Sequence, residues 1–451
     1  MGQGGYINLT NGTPYRWKQD GRGSDRMNSA YLPDYVNPFT SSRHYLEFDG
    51  SLVGKPPQAW AKYKIEGTST EFELKLNRLP GYANFCVIMN TQTLLTEPAN
   101  KVLDNGFAQN GHVEEYYFNG TTVMISGVEG ALSVSSNSSN IGPWMSRSLG
   151  YLGGRKLRQI CMPGTHNSGV SKVTSKTNPN PLIPNALIPD EALSCQYGSI
   201  WDQLNCGVRA FDIRPAYVKG MGYVTGHYEA SKKVGGSGQS IRDVVNNVND
   251  FLRVNPELVL LNISHAYDLN RGFDTFCKSN WDEVLSELDH LEHRFVASPD
   301  QNLADVTLNT FIGHGRGAVV LVFDIERPTG YLGDREGKGY FYKDRMVMLD
   351  QYTDSMSPEK IMEDQFRKLR ENRSSPDSEM FLLSWAQTQK EWYDCIKDLR
   401  HLGRSAMIPR LGSELLSQCT AKTYPNILSV DGVKGTAAVT AAIAINAMAQ
   451  P

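Results

Sequence analysis

Two textures divide the chain. Up to about residue 135, polar and apolar positions alternate in short runs at 44–48, 60–65, 72–76 and 113–125, with Gly, Asn, Asp and Pro between them. Period-two alternation broken by turn residues predicts an antiparallel β-sandwich. The aromatic residues in these runs suit a strand core, and a ligand surface is the other use open to them. A tract of small polar residues, Ser133 to Asn140, marks a linker. The expected division is an accessory domain over 1–135, a linker over 136–147 and a second domain over 148–451.

In the second domain continuous apolar runs replace alternating ones, at 157–162, 208–213, 223–226, 258–263, 318–323, 346–349, 381–385 and 427–430. Uninterrupted runs fit parallel strands covered on both faces. Helical patterns fill most gaps. Ser240 caps one, with Ile241, Val244, Val245, Val248 and Leu252 as its apolar stripe, and Ser357-Pro358 opens another. A third is predicted over 274–291. Eight strands alternating with helices predict a (β/α)8 TIM-type barrel. A doubly wound sheet is less suited, because no glycine-rich phosphate turn follows the first strand.

Barrel chemistry gathers where strands end. Those ends carry His166 and Asn167, Asp212 and Arg214, His227, Ser264 and His265, Asp324 and Glu326, Asp350 and Tyr352, Trp385 and Gln387, and Asp431. A lone histidine at a strand end is more often structural, and an Asp-x-Arg pair is more often an internal salt bridge. Recurrence at nearly every strand end favours an enzyme. Histidines that can carry protons beside a fixed cation suit acid–base chemistry on an anion such as a phosphate.

Met162-Pro163-Gly164-Thr165-His166-Asn167-Ser168, Val208-Arg209-Ala210-Phe211-Asp212-Ile213-Arg214, Gly226-His227, Leu349-Asp350-Gln351-Tyr352 and Asn426 to Asp431 follow one another in an order and spacing that resembles the X-type barrel of the phosphatidylinositol-specific phospholipase C family. The likeness is to its smaller bacterial-like form. It covers roughly residues 148–451 and leaves the N-terminal domain outside. It implies attack of the inositol 2-hydroxyl on the adjacent phosphodiester, giving diacylglycerol and an inositol cyclic phosphate. By resemblance His166 is the general base, Asp431 orients it, His227 protonates the leaving oxygen, and Arg214, positioned by Asp212, faces the phosphate. Ser264, His265, Asp350 and Tyr352 are the implied substrate contacts.

In the calcium-dependent members of the family, acidic residues at this strand end hold the ion. Here the pair is Asp212 and Arg214, which implies neither metal nor cofactor. The bacterial enzymes carry aspartate after the first histidine, and this chain has Asn167, as the calcium-dependent members do. The segment 169–200 is long and holds Leu182 and Ile183 between prolines. A lid packed on the barrel is favoured over a membrane-dipping loop assisted by Lys232 and Lys233.

Composition narrows the partners. The formal net charge of −3 argues against wholesale nucleic-acid binding. No run reaches the length of a membrane-spanning helix, and the alanine-rich stretch 437–449 reads as a packed helix. The expected partner is an inositol phospholipid or related phosphodiester, met by a monomer in peripheral contact with a membrane. The seven cysteines have no metal-like spacing. The N-terminus has no apolar signal core, and Tyr6 stands where a myristoylation site wants Ser or Thr. Sequons starting at Asn8, Asn11, Asn119, Asn137, Asn262 and Asn372 lean the compartment towards secretion. Two other functions stay open: a metal-dependent glycerophosphodiester or sphingolipid phosphodiesterase, and a non-catalytic lipid or glycan binder.

Overall fold

A computed structural model describes residues 3–49, 56–79, 82–91, 94–96, 102–109, 121–136, 140–178, 185, 188–325, 331–388 and 398–449. Glu326, Leu182, Ile183, Asn119, Asn137 and the run 113–120 lie outside them. The chain forms two compact units. The first comprises Met1–Gly142, Ser405–Tyr424 and Lys434–Pro451, and the second Pro143–Arg404 and Pro425–Val433. The expected second domain, 148–451, is therefore shortened at its C-terminal end. The cause is legible in the last helix, Ala437–Met448, which is apolar all round and buried. It packs on Thr121–Val128 and Gln3–Gly12 of the first unit, and Thr440 Oγ1 meets Ser133 Oγ at 2.9 Å.

The first unit has two sheets. One holds Gln3–Gly12, Met27–Ser29, Thr40–Phe48, Thr121–Val128 and Ala131–Val134. The other is a six-stranded antiparallel sheet that includes Trp17–Asp25, Gln58–Ile65 and Glu71–Leu79. The first sheet is mixed rather than antiparallel, because Gln3–Gly12 pairs in parallel with Thr121–Val128. Those strands come from the two ends of the β-region, so a long crossover was available to align them. Ile7, Leu9 and Val123 from one sheet and Trp17, Tyr63 and Phe72 from the other share one apolar core.

The second unit is built on eight strands: β1 (Met162–Thr165), β2 (Ala210–Ile213), β3 (Leu258–Ile263), β4 (Ala318–Phe323), β5 (Tyr340–Tyr342), β6 (Met348–Asp350), β7 (Met380–Trp385) and β8 (Ile427–Val430). They form one parallel sheet in the order β5-β4-β3-β2-β1-β8-β7-β6. Chain neighbours are sheet neighbours except β5 and β6, which are the two edge strands, and β1 lies beside β8. Among the described residues no ladder joins β5 to β6. Ser240 caps Ile241–Val254 and Ser357 caps Pro358–Asn372, both as the capping signals predict. The helix expected over 274–291 is confined to Lys278–Leu288.

Two strand assignments change. The run 223–226 belongs to Gly222–Glu229, which pairs antiparallel with Pro215–Val218 and Val234–Ser240 in a separate sheet. Whereas β3 and β4 are buried along nearly their whole length, as parallel strands covered on both faces are, this strand is buried only at Val224, Thr225 and Gly226. Its place in the parallel sheet is taken by β5, three buried aromatic residues too short to stand out as a run. The first strand also starts later than expected, because Leu157–Gln159 is a single 3-10 turn.

Candidate active site

Seven of the strand-end side chains converge past the C-terminal ends of β1, β2, β3 and β8. Asn167 and His265, just beyond β1 and β3, both adopt left-handed backbone (φ 44° and 47°). Asparagine tolerates that region, and for histidine it costs roughly 1 kcal/mol or more. Past β8 the backbone turns at Gly432 (φ 66°), where a Cβ would lie 2.1 Å from the Arg400 carbonyl oxygen. That turn presents Asp431 towards β1.

His166 Nδ1 lies 3.2 Å from Asp431 Oδ1, and His166 Nε2 lies 2.9 Å from Asn167 Nδ2. With the amide donating to Nε2, Nδ1–H is the proton that faces the carboxylate. Asp431 is buried. Burial pushes its carboxyl above the usual range, although the facing His166 pulls the other way.

Asp212 is the hub of a second cluster. Its Oδ2 accepts Arg214 Nε at 2.9 Å and the Asn167 backbone N–H at 3.1 Å, while its Oδ1 accepts the Ser264 hydroxyl at 3.2 Å. Ser264 gives its proton to Asp212, so it receives one from His265 Nδ1 at 2.9 Å. Burial raises the Asp212 carboxyl, but Arg214, His166 and the Asn167 N–H outweigh it and hold the group below the usual range. Asp212 is thus the anionic partner that fixes the guanidinium.

His227 arrives from the antiparallel ribbon rather than from the parallel sheet. Its ring stands 5.9 Å from that of His166, edge to face. Its Nδ1 donates to the Leu193 carbonyl at 3.0 Å. Burial, with the charges of His166 and Arg214 adding to it, lowers its pKa to about 4. In the free protein His227 is therefore neutral near pH 7, with Nε2 as its unprotonated nitrogen.

Asp350 is exposed, yet it lies among enough protein that its carboxyl is held above the ordinary range, with the Asp212 charge adding to the effect. Tyr352 is 63% exposed and stands apart from this network, its carbonyl accepting Lys368 Nζ. Ser264 is buried and engaged with Asp212, while His265 is exposed.

Two residues from 169–200 complete the site without having been anticipated. Gln196 Nε2 donates to the carbonyls of His166 (2.9 Å) and Val430 (3.0 Å) and approaches Asp431 Oδ1 at 3.4 Å. Its Oε1 accepts the Val433 N–H at 3.2 Å. One amide thereby ties the end of β1 to the end of β8. Cys195 places its sulfur 3.5 Å from His227 Nδ1 and 3.7 Å from Asn167 Nδ2. The only signal for either was a polar pair, Cys195-Gln196, within a loop otherwise expected to pack as a lid. Ile188, Ala192, Leu193, Cys195 and Gln196 of that segment are buried, while Leu182 and Ile183, on which the lid reading turns, lie outside the described residues.

No family model matches the chain. Over 129 residues the chain is 31% identical to a PI-PLC X-box domain-containing protein of Dictyostelium discoideum, a stretch that is 28% of this chain and 16% of that protein. The chain thus spans about a sixth of the length of the curated relative it matches. Among solved structures, the phosphatidylinositol-specific phospholipase C of Listeria monocytogenes is 16% identical, with a TM-score of 0.44 over 65% of this chain and 95% of that one. The Staphylococcus aureus phosphatidylinositol-specific phospholipase C, in a study of its membrane binding, is 16% identical, with a TM-score of 0.45 over 66% and 96%. The chain is similar to the PI-PLC X-box class, the class that the sequence motifs resemble.

Proposed function

We propose that the second unit is a phosphatidylinositol-type phospholipase C whose inositol 2-hydroxyl attacks the neighbouring phosphodiester. The carrying observation is the meeting of a carboxylate-backed histidine, His166 on Asp431, with a second histidine ring 5.9 Å away. Arg214, anchored on Asp212, lies in the same cluster. In this reading the hydroxyl displaces the Asn167 amide from His166 Nε2 and gives that nitrogen its proton. Asp431 stabilises the imidazolium that results. Arg214 bonds the phosphate oxygens, a contact whose removal typically costs on the order of a hundredfold in rate.

His227 is the acid for the leaving diacylglycerol oxygen. Its low pKa means that the proton must come with substrate: an anionic phosphate beside Nε2 offsets Arg214 and raises the ring's basicity. In this reading Asp350 and His265 meet ring hydroxyls, and Tyr352, outside the network, comes against the sugar face only when substrate is bound. The guanidinium stands in for a cation, so turnover needs no metal. The parallel sheet is taken to close as a barrel between β5 and β6, and the first unit to be a sandwich-type accessory domain. A secreted monomer in peripheral contact with a bilayer fits this activity.

Phosphorus NMR of phosphatidylinositol vesicles with the full chain in chelator tests the reading. A cyclic inositol phosphate signal is expected. Turnover that appears only on adding magnesium or calcium would instead favour a metal-dependent phosphodiesterase. Vesicle binding with no product under either condition would favour a lipid binder.

A further inference from the structure

The mechanism above makes no use of Cys195, although its thiol is fully buried beside both histidines. One ligand atom from each of His166, Cys195 and Asp431 can be chosen so that all three lie within 4.8 Å of one another. Asp431 Oδ2 is buried without a hydrogen-bond partner, so one lone-pair-bearing oxygen of the group is uncommitted. The sulfur's neighbours, His227 Nδ1–H and the Asn167 amide, are both donors. In the free protein burial and the Asp431 charge hold the thiol well above its usual range, so the cation itself must draw the proton off on binding. His166 is partly exposed, which leaves an approach from solvent.

We infer that His166, Cys195 and Asp431 form a binding site for a thiophilic divalent cation, zinc above all, that blocks the enzyme rather than serving it. One sulfur, one imidazole nitrogen and one carboxylate oxygen make a three-ligand set that zinc completes with water or a substrate oxygen. Calcium and magnesium, which take oxygen ligands, are selected against. Zinc bonds of about 2.0–2.3 Å require the three atoms to draw in by on the order of 1 Å. On binding, the Cys195 proton leaves to solvent and the ring gives a lone pair to the metal. Bound at Nε2, the ion occupies the base directly. Bound at Nδ1, it displaces the link to Asp431 and moves the ring proton to Nε2. Either way His166 can no longer accept the hydroxyl proton.

The inhibitory consequence rests on the proposed function, whereas the binding does not, and cobalt(II) titration of the full chain reads binding without substrate. A single bound cobalt with thiolate charge-transfer absorption is expected, displaced by zinc. Cys277, the other thiol held ready by hydrogen bonds, is removed by Cys277→Ser as a control that must leave the band intact. Cys195→Ser must abolish the band and weaken zinc binding by about a hundredfold or more. No band at saturating cobalt, or a band that survives Cys195→Ser, overturns the inference. If Cys195→Ser does not fold, Asp431→Asn removes one ligand and keeps the sulfur, and unchanged zinc affinity in that variant overturns it equally.

Discussion

Arg214 reaches Asp212 through Nε at 2.9 Å, on the same carboxylate oxygen that accepts the Asn167 backbone N–H. The guanidinium's heading is therefore set by a group that also fixes the turn carrying His166 and Asn167. Asp212→Asn keeps the shape and removes the charge. Arg214 then loses its charged anchor. A fall in kcat of on the order of a hundredfold is expected in a vesicle or soluble-substrate assay. Unchanged turnover would show that Arg214 needs no anchor.

His227 gives a pH signature. Its pKa is lowered from 6.5 to about 4, chiefly by burial. Between those values the unfolded chain holds the proton and the folded one does not, so stability rises with pH there. The contribution is fully present above pH 6.5 and is lost as pH falls from 6.5 towards 4, worth roughly 3 kcal/mol. The ring resonance of His227 should titrate with a midpoint near 4 in the free protein, and the midpoint should move upward on adding an inositol phosphate. A free-protein midpoint near the ordinary histidine value would remove the argument that substrate brings the proton.

A buried ion pair holds together the N-terminal ends of β2 and β3, away from the candidate site. Arg209 and Glu257 are both fully buried and meet at 2.8 Å. Arg209 also donates to the carbonyls of Leu204 and Val208, and Glu257 accepts the backbone N–H groups of Met145 and Ser146. Removing the charge of one partner strands the other in the core. Glu257→Gln should cost about 3–5 kcal/mol in denaturant unfolding, with kcat per folded molecule unchanged. A loss under 1 kcal/mol would show that water reaches the pair.

Much of this architecture was legible in the chain because its signals are local. Continuous apolar runs marked β2, β3, β4, β7 and β8, and capping serines marked two helices. The candidate site was legible because chemistry sits just past strand ends, so His166, Asp212, Arg214 and Asp431 were findable one by one. What escaped depends on pairing at a distance. The ribbon that carries His227 has the apolar content of a barrel strand, and only its antiparallel partners reveal it. Gln196 matters because of two carbonyls on strands remote in sequence. The parallel pairing of Gln3–Gly12 with Thr121–Val128, and the return of the last helix to the first unit, are likewise invisible to periodicity. The sequons at Asn8 and Asn11 fall on buried side chains, which no tripeptide pattern discloses.

Asn167 offers the sharpest test of the base. Its amide nitrogen sits 2.9 Å from His166 Nε2, and its Oδ1 is buried without a partner. Asn167→Asp puts a carboxylate against that nitrogen with almost no change of volume. A carboxylate there favours the protonated ring, with Asp431 already on its other side. His166 then holds its proton to higher pH. The acid limb of the kcat/KM profile should therefore move upward by roughly one unit, while activity well above that limb recovers towards the parent value. An acid limb that stays in place, with activity lowered equally at every pH, would mean that the Asn167 contact does not set the protonation of His166.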